Sequence, residues 1–384
     1  MSACDACLRR TALVAALGAQ LDVEWRRQSA PAAVLSLPDD ALLRLDPTGR
    51  VAREHAGFDA GRAREASRGA GLVAVCRCDA AYPEPLRELA DPPAVLHVAG
   101  SVAAPAAEGV AIVGARRGTP YGIEVARGLG RGLGAAGVPV ISGLALGVDS
   151  AAHVGALAAA GPAPSAGAHA SSARPVAVLA GGADVPYPAS RRRLYREIRE
   201  RGAVVSEMPP GFTPYRWCFV ARNRIIAGLA AATVVVEATE RSGSLTTADF
   251  AANLGRPVGA VPGPVTSRFS SGTNGLLAAG AAVIRDVHDA LDLVGAVDLV
   301  GSAGHAGPAG RVDRHRPAAP AIPLEPRLRR LLDAIERGGG SLAELATDPE
   351  ATKQVLADLT DLELRGLVRR GFGGRYVRTA GEPW

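Results

Sequence analysis

Gly109-Val110-Ala111-Ile112-Val113-Gly114 decides the fold. The run is apolar between its glycines, with β-branched residues at Val110, Ile112 and Val113 and no polar alternation. That is the pattern of a short strand buried on both faces. A helix follows from about Tyr121, with Val125, Leu129 and Leu133 on one face. Val138-Pro139-Val140-Ile141 reads as the next strand, Ser142-Gly143 as a turn, and a second helix runs through His153. Strand patterns recur at Val176–Leu179, Ala203–Val205, Val234–Glu237, Val258–Val261 and Ala282–Ile284, mostly separated by helical patterns. Buried strands alternating with helices predict an α/β fold with a mainly parallel, doubly wound sheet.

Around this core, residues 1–78 read as a helical, helix-hairpin-like region. Leu13, Leu17 and Leu21 recur there at i, i+4, i+8, and a second helix starts near Leu37-Pro38-Asp39-Asp40. The proline-rich stretch from Tyr82 to Pro93 leads into a core spanning 79–298. Within it, residues 161–175 are small, polar and proline-bearing, as expected of a flexible insertion. Residues 299–323 read as an interdomain linker. The last segment, 324–384, opens with a helix carrying Leu328, Leu331, Leu332 and Ile335. Ser341-Leu342-Ala343-Glu344 is a capping box for a second helix, and Pro349 starts a third with Val355, Leu356, Leu359 and Leu362. A hairpin with a glycine turn is expected from Leu367 to Val377. Three helices and a hairpin make a winged-helix-like domain. Its third helix sets Asp358, Asp361 and Glu363 against Lys353, which favours a protein-contact or structural role over reading DNA.

The 384 residues are 48% hydrophobic and 21% charged, an ordinary balance for a soluble globular chain with room for two or three domains. A net charge of +5 permits polyanion binding without compelling it. Apart from Lys353 the basic residues are all arginine. Genome composition is the plain reading of that bias, although arginine is also the better bidentate phosphate ligand. Of the five cysteines, Cys4-x-x-Cys7 and Cys76-x-Cys78 form two pairs far apart in the chain, with no supporting histidine pattern. A zinc site built from the two pairs is the alternative, but they read as free thiols of a reducing cytoplasm, and no metal site is expected. The longest apolar stretch, Ile225 to Val236, is too short to span a membrane and reads as a helix end plus a strand. Arg9-Arg10 ahead of Thr11 to Leu17 resembles a signal peptide, but Asp5 precedes it and Asp22 and Glu24 follow without a cleavage site. A short amphipathic helix in a cytoplasmic chain is expected instead.

Ligands of an open α/β sheet bind at the carboxyl ends of its strands, where several motifs of this chain fall. Gly114 to Gly122 (GARRGTPYG) follows the first strand and Ser142 to Asp149 (SGLALGVD) the second. Gly181 to Pro188 follows the next and leads into Arg191-Arg192-Arg193. Arg222-Asn223-Arg224 reads as the mouth of an apolar helix, and Ser242-Gly243-Ser244 opens the helix one strand later. Arginine forks and free amides at helix starts both bind phosphate, so two such devices in adjacent units point to a groove for a phosphate chain. Each piece has a plainer reading. Arg116 and Arg117 suit a solvated turn, Ser142-Gly143 an N-cap, and Arg191 to Arg193 an exposed helix face. Asp149 and His153 suit a helix cap and a satisfied histidine rather than a metal pair. Their convergence on one sheet edge favours binding. The first strand lacks G-x-G-x-x-G, no acid ends the second, and Walker A is absent, so neither a dinucleotide cofactor nor nucleotide hydrolysis is expected.

VGARRGTPYG, SGLALGVDSAAH, VLAGGADVPYP, SEMPPG, RNRIIAGLA, VVVEATERSGSLTTA and RPVGAVPGPVTSRFSSGTNGLLAAGA occur here in the order seen in the DNA-processing protein A (DprA/Smf) family. The resemblance runs from about Tyr82 to Leu293. It implies an extended Rossmann-like domain that binds and protects single-stranded DNA, forms a homodimer and loads the RecA recombinase onto incoming strands in natural transformation. It implies no catalysis and no cofactor. Phosphate contacts carry over to Arg116, Ser142, Gly143, Arg222, Asn223, Arg224, Ser242, Gly243 and Ser244. Two positions depart: Ala115 stands where serine is common, and Arg191 where asparagine is usual, so Arg191 to Arg193 would supply charge there. Aromatics are 4% of the chain, so binding is expected to be mostly electrostatic and sequence-tolerant. The main alternative is a nucleotide-binding enzyme of the lysine-decarboxylase-like phosphoribohydrolase type, whose PGG-x-GT-x-x-E turn carries a working glutamate. Here that turn is SGSLTTA and the nearest acid is Asp249. A third reading is a regulatory module that binds a small nucleotide and signals through the winged-helix-like tail.

Overall fold

The computed structural model describes residues 3–28, 34–106, 109–159, 174–295, 325–336, 345, 349–365, 367–370 and 376–378. The chain divides into two compact units near residue 306. The first begins with helices α1 (Asp5–Ala16), α2 (Gly18–Gln28), α3 (Asp39–Leu43), α4 (Arg50–Ala56) and α5 (Ala60–Gly69). Strands β1 (Val73–Cys76), β2 (Val95–Gly100) and β3 (Gly109–Val113) follow, then α6 (Pro120–Ala135), β4 (Val140–Ser142) and α7 (Val148–Ala159). Next come β5 (Val176–Val178), α8 (Arg192–Arg201), β6 (Ala203–Ser206), α9 (Arg216–Leu229) and β7 (Ala230–Val235). The unit closes with α10 (Gly243–Asn253), β8 (Val258–Ala260), α11 (Ser271–Ala278), β9 (Ala282–Val283) and α12 (Val287–Asp292).

These nine strands form one sheet in the order β1-β2-β6-β5-β4-β3-β7-β8-β9. The seven from β3 onward run parallel, and the β1–β2 hairpin extends the sheet antiparallel on β6. The expected doubly wound α/β sheet is therefore present. All five residues of β3 are buried, and alternate side chains serve opposite layers. Val110 and Ile112 pack with Leu129 and Leu133 of α6. Ala111 and Val113 pack with Ile225, Ile226 and Leu229 of α9. Thr119 caps α6 by accepting from the Gly122 amide, with Pro120 at the first helical position. Helices α6 and α7 approach closely because Gly130 leaves room for the Ala152 backbone; a Cβ there would strike the carbonyl.

The N-terminal helices share a core with α9. Leu13, Leu17 and Leu21 pack in one cluster with Trp217. The Trp217 indole N–H donates to the Gly18 carbonyl at 2.9 Å, and its buried body makes truncation worth about 3–5 kcal/mol. The leucine period continues across a break at Leu17 into a second helix. The two cysteine pairs also meet: the sulfurs of Cys4, Cys7, Cys76 and Cys78 all lie within 4.8 Å of one another. Separation in sequence had argued against any relation between them, but pairing of β1 with β2 and the packing of α1 beside them bring the pairs together.

In the second unit, α13 (Pro326–Glu336) and α14 (Pro349–Leu364) pack through Leu328, Leu331, Leu332, Ile335, Leu359 and Leu362. Val368 of the β10–β11 hairpin (Val368–Arg370 with Tyr376–Arg378) joins them. Asp358 is buried and paired with Arg327 at 2.9 Å, so part of the acidity of α14 serves internal packing. The helix expected after Ser341, the glycine turn of the hairpin, the 299–323 linker and residues 161–173 of the insertion lie outside the described residues.

Candidate functional site

Strand β3 sits between β4 and β7, the point where the winding direction reverses. A crevice opens at the carboxyl ends of strands at such a point. Here it is a cavity of about 350 Å³, lined by Gly114 to Arg117 after β3, Arg222 and Asn223 of α9, and Ser242 to Ser244 at the start of α10. Six of the expected contacts, Arg116, Arg222, Asn223, Ser242, Gly243 and Ser244, thus converge. Ser242 is the N-cap of α10 and its hydroxyl accepts from the Ser244 amide. The first amides of a helix have no intrahelical partner, so this N-terminus faces the cavity with positive character. Asn223 donates to the Gly243 carbonyl at 3.0 Å and to Thr246 Oγ1 at 2.8 Å, which fixes that first turn from below.

Arg222 forms part of the floor. It is 6% exposed, its Nη1 donates to the Val178 carbonyl at 2.6 Å, and its Nε is buried with no partner. Burial lowers its pKa to about 10, with Arg116 pushing the same way and Asp149 opposing. Asp149 is raised, also mainly by burial. No carboxylate stands within ion-pair distance of Arg222 among the described residues, so a buried cation keeps an unspent donor at the base of the cavity. Such a group favours an anion. His153 is buried too, and burial pushes it down to about 4, so it is neutral beside Arg222.

Several residues expected as contacts are held in other interactions or lie away from this cavity. Arg222-Asn223-Arg224 is not at the mouth of a helix but in the middle of α9, which begins at Arg216. At about 100° per residue, positions 222 and 224 face roughly opposite ways. Arg224 points out of the cavity. It donates from Nε to Asp91 at 2.8 Å and from Nη1 and Nη2 to Glu207 at 2.8 and 2.7 Å, and it is 2% exposed. With both carboxylates engaged, it has no fork left for phosphate. Ser142 is fully buried and its hydroxyl donates to the Ile112 carbonyl at 2.6 Å. The Gly143 amide donates to Asp149 Oδ2 at 3.1 Å. Gly143 instead leaves the space that Arg222 fills, since a Cβ there would collide with the guanidinium. Arg191 lies just before α8, after β5, and does not line the cavity.

The aromatic residues were missed. Phe219, from the first half of α9, lines the cavity with Phe269. Tyr187 packs against Phe219 with centroids 5.3 Å apart, and Arg116 stands 5.2 Å over the Phe219 ring. These three border a second cavity of about 100 Å³ that shares Arg116, Phe219 and Arg222 with the first. Tyr187 and Arg116 are exposed, so a flat ring and a guanidinium plane are available together. Glu237 was also missed. It is buried after β7 and accepts from the Thr119 amide at 2.8 Å and the Thr119 hydroxyl at 2.5 Å, which anchors the arginine-bearing loop.

A model of the family described as DNA recombination-mediator protein A matches residues 73–295. The DNA processing protein DprA of Mycobacterium tuberculosis is 46% identical over 179 residues, 47% of this chain and 43% of that protein. The chain therefore matches less than half the length of this relative. Among solved structures, DNA processing protein A from Streptococcus pneumoniae superposes with a TM-score of 0.59 at 28% identity, covering 75% of this chain and 95% of that one. A structure reporting the single-stranded DNA binding mode of DNA processing protein A from Helicobacter pylori gives 0.50 at 29% identity, covering 58% and 94%.

Proposed function

This chain belongs to the DNA recombination-mediator protein A family, and from that premise we propose that its cavity at the β3–β7 switch point grips the backbone of single-stranded DNA. The observation that carries the reading is Arg222, a buried cation with an unpartnered Nε, set beneath exposed Arg116 and beside the α10 N-terminus. Arg116, Arg117 and Arg222 hold phosphates, and the α10 amides add a neutral cradle. Tyr187 and Phe219 give bases a stacking surface, which is sequence-tolerant because every base has a π-face. The Helicobacter relative, with its reported single-stranded DNA binding mode, supports the same ligand class.

The family resemblance extends the proposal to a cytoplasmic homodimer that protects incoming strands and hands them to RecA. No described helix is long and apolar enough to cross a membrane. The phosphoribohydrolase alternative is weaker. Among the described residues, the one carboxylate lining the cavity, Asp149, is committed to the Gly143 amide, and Asp249 does not line it. The test is anisotropy of a labelled oligo-dT strand over a salt series with duplex competitor. Three phosphate contacts give a log–log salt slope of about −2 for a single strand. Equal affinity for duplex, or no binding at low salt, refutes the proposal.

A further inference from the structure

At the far edge of the sheet, on β1, the four clustered cysteines have no part in the groove. We propose that Cys4, Cys7, Cys76 and Cys78 form a structural zinc site that clips the N-terminus of α1 to the edge of the sheet. The four sulfurs lie within 4.8 Å of one another, and Cys7 Sγ stands 3.8 Å from Cys78 Sγ. Zn–S bonds of about 2.3 Å in a tetrahedron require S···S edges of about 3.8 Å. A disulfide needs about 2.05 Å, so the cysteines are free thiols spaced for an ion between them. A C-x-x-C pair and a C-x-C pair from different segments complete a Cys₄ set, and the tight packing leaves room for one ion rather than a multi-iron cluster.

The surrounding backbone is arranged to hold the ligands. The Cys4 amide points at Cys76 Sγ at 3.5 Å. The Asp79 amide closes a turn on the Cys76 carbonyl at 2.8 Å, which brings Cys76 and Cys78 to one side. Arg87 donates to the carbonyls of Arg77 and Asp79 on that turn. Arg64 of α5 donates to the Ala3 carbonyl at 2.9 Å and pairs with Asp5, steadying the segment around Cys4. Zinc binding would release the thiol protons to solvent and leave no change of oxidation state. Because Cys4 and Cys7 lie before the family-matched residues and Cys76 and Cys78 within them, the ion would tie the helical N-terminal segment to the family-matched core.

The experiment uses the full chain purified with a thiol reductant and no chelator. Elemental analysis is expected to find one zinc per chain. Replacement with cobalt(II) is expected to give the visible bands of tetrahedral tetrathiolate coordination. The double variant Cys4→Ser/Cys78→Ser is expected to lose stoichiometric zinc and to melt at least about 5 °C lower. Should that variant fail to fold, the cobalt spectrum of the unaltered protein decides. Four freely reactive thiols with no bound zinc after reconstitution overturn the site.

Discussion

Arg222 and Arg224 lie two residues apart on one helix and face different regions of the molecule. On the groove side, Arg222 has a backbone carbonyl, a distant aspartate and an unpartnered Nε. On the opposite side, Arg224 is held by Asp91 and Glu207 and joins the approach to β2, the loop after β6 and α9. Its folded-state charge is strongly favoured by those two carboxylates in spite of burial. Both are buried arginines of the same motif, yet only one has binding capacity to spare. Availability of the guanidinium, rather than its presence, distinguishes a candidate ligand contact from a structural tie.

The largest effect belongs to the structural side. Arg224→Met leaves buried Asp91 and part-buried Glu207 without a cation, and breaking a buried pair in this way costs about 3–5 kcal/mol. Urea unfolding should show that loss, whereas Arg222→Met should change stability far less because it removes a lone buried charge. Equal losses would erase the contrast. Next in size is a pH effect on the groove side. Burial depresses His153 from 6.5 to about 4, so the unfolded chain binds its proton first as pH falls. The stability it confers is full above about 6.5 and is lost on the order of 3 kcal/mol by pH 4. Thermal melts that do not weaken between those limits would contradict a neutral, buried His153.

Binding effects are smaller in energy. Arg222→Met should weaken oligo-dT binding by about ten- to a hundredfold, the loss of a charge-assisted contact of 1.5–3 kcal/mol. Arg116→Ala removes an exposed phosphate contact and the cation over Phe219. It should cost only a few-fold in affinity and make the salt slope shallower by about 0.7. A slope unchanged in that variant would remove Arg116 from the interface.

Much of this contrast was not readable along the chain. The sheet was legible because β3 and its neighbours are unbroken apolar runs, and the Ile225 to Val236 stretch divides into helix and strand at Leu229/Ala230 as its length suggested. The start of α9 was hidden because Arg216 and Trp217 look like loop after Pro214. The recurrence of Trp217, Ala221 and Ile225 every four residues was the available signal, and it would have placed Arg222 and Arg224 on different faces. The partners of Arg224 were out of reach, since Asp91 is 133 residues away. Phe219 and Tyr187 went unnoticed because scarcity says nothing about clustering. Separation along the chain also concealed the cysteines, whose contacts close 71 residues from Cys7 to Cys78.

In the proposed division, the groove side of α9 binds single-stranded DNA through Arg222 while the Arg224 side serves the fold. The most direct test is oligo-dT anisotropy at fixed low salt for the unaltered protein and for Arg222→Met, with circular dichroism and urea unfolding on both. A variant that keeps its fold and stability but loses at least tenfold in affinity is the expected result. A stable Arg222→Met protein that binds the strand as tightly as the parent would contradict the claim.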